Sequence, residues 1–88
     1  MKVFRWSHAK NERLALERDI TFEEVVLAIE AGGVLDVLKH ANPSRYPNQR
    51  VLVVAVSGYV YLVPFVEDAE SYFLKTIIPS RKATRDYL

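Results

Sequence analysis

The chain has 88 residues, half of them hydrophobic and 26% charged, which is the balance of one small folded domain and not of a disordered segment. Twelve basic against eleven acidic side chains leave a net charge of +1, too little for global electrostatics to draw the chain onto nucleic acid. No cysteine is present, which excludes disulfides, thiolate zinc sites and a cysteine nucleophile and fits a reducing cytoplasm.

Met1-Lys2-Val3-Phe4-Arg5 is followed by polar residues, not by the apolar stretch of a secretory signal. The most apolar run, Val51 to Val66, is broken by Ser57-Gly58 and Pro64 and falls short of the ~20 residues a membrane-spanning helix needs. The expectation is a cytoplasmic protein with no membrane segment.

Val3 to Trp6 is short and β-prone, and Ser7 can cap a helix from His8 to Arg18. Thr21-Phe22-Glu23-Glu24 has the spacing of a capping box, with Ile20 and Val25 at staple positions. Phe22, Val25, Val26 and Ile29 then mark one buried helix face, which Gly32-Gly33 terminates. Val34 to Leu38 suits a short strand. Lys39 to Gln49, with Asn42-Pro43 and Tyr46-Pro47, is a loop. Arg50 to Val56 and Tyr59 to Phe65 form a hairpin about Ser57-Gly58, apolar enough for the middle of a sheet. Pro64, without an N–H, belongs near a strand end, a bulge or an open edge. Glu67 to Glu70 is an acidic turn, Tyr72 to Ile78 a third long strand, and Arg81 to Tyr87 a terminal helical turn. This order predicts an α+β domain: a short strand, two helices, a three- to four-stranded antiparallel sheet with the helices on one face, and a short C-terminal helix.

Three segments, Phe4 to Asn11, Ile20 to Glu24 and Ile77 to Thr84, resemble the BrnT family of bacterial toxins. Phe4-Arg5-Trp6-Ser7-His8-Ala9-Lys10-Asn11 resembles the family's opening, and Ile20-Thr21-Phe22-Glu23-Glu24 the start of its second helix. Ile77-Ile78-Pro79-Ser80-Arg81-Lys82-Ala83-Thr84 resembles its closing motif, isoleucines running into Ser-Ala-Arg-Lys-Ala-Thr. Where the family commonly has Lys-His-Gly this chain has Glu17-Arg18-Asp19, and Thr76, with Lys75 beside it, stands where an Arg is frequent. The resemblance implies a RelE-like fold and an RNA-cleaving toxin of a type II toxin–antitoxin pair. Its partner would be a cognate antitoxin of ribbon-helix-helix or helix-turn-helix type, with operator DNA reached only through that antitoxin.

RNA cleavage without a metal uses the 2′-OH as nucleophile. It needs a proton acceptor, a donor to the leaving 5′-oxygen and cations on the non-bridging oxygens. Arg81 lies within the best-matched motif and is the candidate phosphate clamp. His40, in the Pro-rich loop, and Tyr61 are the alternative proton-transfer groups. Arg50, Lys75, Lys82 and Arg85 are the RNA-binding candidates, and Arg81 and Arg85 also suit an acidic segment of the antitoxin. Each has a plainer reading: a solvated basic tail for the C-terminal cations, an exposed loop residue for His40, a strand-end charge for Arg50, and core packing for Tyr59 and Tyr61. No metal-ligand spacing or glycine-rich phosphate loop is visible, so neither metal nor cofactor is expected. Against the enzyme stand a non-catalytic binding module and a degenerate toxin kept for complex formation and operator regulation.

Overall fold

The computed structural model describes residues 2–88. Strand β1 (Val3–Trp6) leads into helices α1 (His8–Arg18) and α2 (Phe22–Glu30). Strands β2 (Val34–Lys39), β3 (Gln49–Val56), β4 (Tyr59–Glu67), β5 (Ser71–Leu74) and β6 (Ile78–Pro79) follow, and helix α3 (Arg81–Tyr87) closes the chain. The sheet order is β1-β5-β4-β3-β2, with β6 on β4 beyond the end of β5. All pairs are antiparallel except β1 with β5.

The local signals act as their chemistry demands. The Ser7 hydroxyl accepts the Lys10 amide at 3.2 Å and that of Thr21 the Glu24 amide at 3.3 Å, each satisfying a free N–H of a first helical turn. Gly33 accepts the Ala55 amide at 2.9 Å. A Cβ at Gly33 would sit 2.8 Å from the carbonyl oxygens of both Ala28 and Ala55, so only glycine lets α2 end this close to β3. Ser57 and Gly58 both take positive φ, 51° and 80°, the turn whose twist matches a two-residue hairpin.

The main core lies between the sheet and α1/α2. Phe22, Val25, Leu52, Val54, Val63, Phe65, Leu74 and Ile77 pack there with Leu14 and Ile20, and Trp6 stacks on Phe22 at 5.6 Å. Asn11 is the polar member: its carbonyl oxygen accepts the Phe22 amide and its NH₂ donates to Glu23, each at 2.7 Å. This bond is the main cause that holds the Glu23 carboxyl below its usual range.

Two expectations are corrected. Tyr72 to Ile78 is not one strand: β5 ends at Leu74, and the chain re-enters as β6 opposite Leu62 and Tyr61. Pro64 lies at this break. Its carbonyl accepts the Lys75 amide at 2.8 Å, so its own nitrogen, with no proton to give, faces the gap between β5 and β6. The helices also do not share one face. Ala83 of α3 packs with Val53, Val60 and Leu62 on the reverse of the sheet, which explains why β3 is apolar on both sides.

Candidate functional site

Helix α3 is bonded to β4 at one point on its first turn. The Ser80 amide donates to the Val60 carbonyl at 3.0 Å, and the Val60 amide donates to the Thr84 hydroxyl at 2.9 Å. The Thr84 hydroxyl in turn donates to the Ser80 carbonyl at 2.7 Å, while the Ser80 hydroxyl accepts the Ala83 amide at 3.0 Å. With Ala83 buried against the sheet, Arg81, Lys82 and Arg85 stand outward, all exposed. Arg81 and Arg85 are one helical turn apart and share a side of the helix. The Arg85 guanidinium lies 3.6 Å from Asp86, whereas Arg81 and Lys82 make no ion pair among the described residues. Exposed, uncompensated cations on a fixed backbone suit a phosphate.

The Tyr61 backbone lies at the same margin of the sheet, while its ring is on the α1/α2 face, opposite the face that α3 covers. It pairs with Pro79, two residues before Arg81, and its half-buried ring meets Tyr59 edge-on at 5.6 Å while packing on the main core. Burial, reinforced by the Glu24 carboxylate, raises the Tyr61 pKa, so the phenol holds its proton at neutral pH. Lys75 lies on this margin too, exposed beside Pro64.

The other candidates are elsewhere. His40 bonds to Gln49 where β3 begins, and Tyr61 pairs with Val54; the two are about 16 Å apart along β3, at roughly 3.3 Å per residue. One phosphate cannot meet both. The His40 Nδ1 accepts the Asn42 amide at 2.9 Å, and its ring rests on Tyr46 at 4.6 Å, which leaves the neutral ring's proton on Nε2. Arg50, opposite Phe65 and Lys39, lines a cleft of about 270 Å³ with Phe4, Val37, Glu67 and Tyr72 on the α1/α2 side, away from α3. Among the described residues no three His, Asp or Glu side chains gather as metal ligands, and no helix is long and apolar enough to cross a membrane.

Arg18 is a residue that sequence reasoning passed over. Its guanidinium donates to the Ile77 carbonyl at 2.5 Å, binding the end of α1 to the link between β5 and β6, just ahead of Arg81. No spacing signal could reveal it, because its partner is a backbone oxygen 59 residues away.

No protein-family profile matches the sequence, and no curated protein matches it. Among solved structures, the crystal structure of the Brucella abortus ribonuclease toxin BrnT superposes with a TM-score of 0.68 over 91% of this chain and 97% of that one, at 10% identity. The chain has the fold of BrnT: the N-terminal strand, two helices, antiparallel-rich sheet and C-terminal helix are common to both.

Proposed function

We propose that this chain is the toxin of a type II toxin–antitoxin pair, a metal-independent endoribonuclease that cleaves mRNA in the cytoplasm and is held silent by a cognate antitoxin. The observation that carries this reading is exposed Arg81 and Lys82, free of ion pairs among the described residues, on a turn fixed to β4 through Ser80 and Thr84. The fold shared with a ribonuclease toxin supports it.

In this mechanism the RNA 2′-hydroxyl gives its proton to solvent water as its oxygen attacks the adjacent phosphorus, and the bond to the 5′-oxygen breaks. Arg81 takes the charge that grows on the non-bridging oxygens, and such preorganised charge costs no reorganisation at the moment of reaction. Tyr61 is the candidate donor of the proton to the leaving 5′-oxygen. Lys82, Arg85 and Lys75 hold the flanking strand. A chain of net charge +1 has little pull on operator DNA by itself, so repression runs through the DNA-binding domain of the antitoxin.

The test is induction of this chain alone and together with its neighbouring gene. Growth arrest relieved by the neighbour is the expected result. Unimpaired growth with intact RNA at full expression would leave only the partner-binding role.

A further inference from the structure

The face of the sheet that carries α3 is only partly covered. Helix α3 packs over Val53 and Val60, near the Ser57–Gly58 end. Toward the other end, the strand register aligns Leu38, Val51 and Pro64 in one row and Val66, Phe73 and Arg5 in the next. Leu38 and Phe73 remain 40% and 38% exposed, and Val51, Pro64 and Val66 are half-buried. An apolar strip crossing four strands and ending on Arg5 of a fifth is unusual on a free surface and marks an interaction site.

Its charge selects the occupant. No acid lies in the two rows, and exposed Arg5 closes one end while exposed Lys75 borders Pro64. The carboxylates near it are already engaged: Asp36 accepts from Tyr87 and the Val37 amide, and Asp68, which feels Arg5, accepts the amides of Glu70 and Ser71. A second copy seated face to face would bring the same cations together, since a two-fold contact joins like surfaces. RNA binding is dominated by phosphate contacts, and the middle of this strip offers none.

We infer that this strip is the docking face for an acidic amphipathic helix of the partner protein, lying alongside α3, with its apolar side on Val51, Val66 and Phe73 and its carboxylates toward Arg5 and Lys75. The inference rests on the antitoxin-partnered reading above and deepens it. The strip is about 19 Å across at roughly 4.8 Å per strand, which is the length of ~13 helical residues.

The test measures binding of the purified protein encoded beside this chain to wild type, Phe73→Glu, Val66→Glu, Arg5→Glu and, as a control on the opposite face, Leu27→Glu. Leu27 is 66% exposed on α2. Expected is a loss of at least about 30-fold for Phe73→Glu and Val66→Glu, as for a central interface residue. Arg5→Glu should bind more weakly and with less salt dependence, Leu27→Glu should bind as wild type, and RNA cleavage should be unchanged in Phe73→Glu. Phe73→Thr, which keeps strand propensity, reads the same site if the Glu variants fold poorly. Equal affinity across the set overturns the inference while leaving the partnered reading standing. No binding by wild type overturns both. A dimer of the isolated chain that Phe73→Glu dissolves, or RNA binding that Phe73→Glu abolishes, also overturns it by naming a different occupant.

Discussion

The Tyr87 hydroxyl donates to the Asp36 carboxylate at 2.8 Å, joining the last turn of α3 to the edge strand β2. The other Asp36 oxygen accepts the Val37 amide at 2.8 Å. Helix α3 is therefore held at both ends, by β4 at Ser80 and Thr84 and by β2 at Tyr87, and the direction of Arg81 is set by this suspension. The carboxylate also raises the Tyr87 pKa, so the bond persists well above neutral pH. Tyr87→Phe should leave the melting temperature nearly unchanged but speed amide exchange in α3 and lower RNA cleavage several-fold; unaltered exchange would show that the tether is idle.

Asn11 joins α1 to α2 from a position only 7% exposed. Asn11→Ala leaves the buried Phe22 amide without its acceptor, at a cost of about 1–3 kcal/mol. Urea unfolding should show that loss, and Asn11→Asp should recover less than the full difference, because its carboxylate faces Glu23. An Asn11→Ala variant as stable as wild type would mean that water replaces the bond.

Val53 has no exposed surface and meets Val60 and Ala83 on the α3 side. Val53→Asp buries a charge with no partner, costing several kcal/mol against a total stability of about 5–15. The variant should be unfolded by circular dichroism at ambient temperature. A cooperative melt near that of wild type would contradict the two-sided burial of β3.

The parts of this fold legible in the sequence are those fixed by neighbours along the chain. Ser7 and Thr21 cap, Gly32-Gly33 stops a helix and Ser57-Gly58 turns a hairpin, because each acts on backbone groups within a few residues. The break after Leu74 was hidden, since Tyr72 to Ile78 is β-prone throughout and only its pairing with Pro64 interrupts it. The side of the sheet that α3 covers was hidden too, because its main contact is one small residue, Ala83. For the site, the C-terminal cations were visible as a cluster. Their relation to Tyr61 depends on the two-residue strand β6, and the anchoring by Arg18 on a carbonyl distant in sequence, and neither leaves a local trace.

The turn between β4 and β5 should confer acid sensitivity. Asp68 accepts the amides of Glu70 at 2.8 Å and Ser71 at 2.7 Å, and these bonds hold its pKa below the usual aspartate value. A carboxylate depressed in the folded state stabilises fully above its unfolded pKa of about 3.9 and loses that contribution as pH falls through the lower folded value. Glu67, lowered chiefly by its bond to Lys2, acts in the same direction. Asp68→Asn should thus lower the urea midpoint at pH 7 and flatten its decline below about pH 4. A midpoint that falls with acid as steeply as in wild type would place the sensitivity elsewhere.

The claim that Arg81 clamps the scissile phosphate is tested most directly by the ends of the RNA that the purified chain cuts in EDTA, with and without ribosomes. Attack by the 2′-oxygen without a metal leaves a 2′,3′-cyclic phosphate on one fragment and a free 5′-hydroxyl on the other. Wild type should leave these ends, and Arg81→Ala should cut at a rate about 10²–10³ lower, with circular dichroism and partner binding intact. Cleavage that stops in EDTA, 5′-phosphate ends, or an Arg81→Ala variant that cuts at the wild-type rate would contradict it.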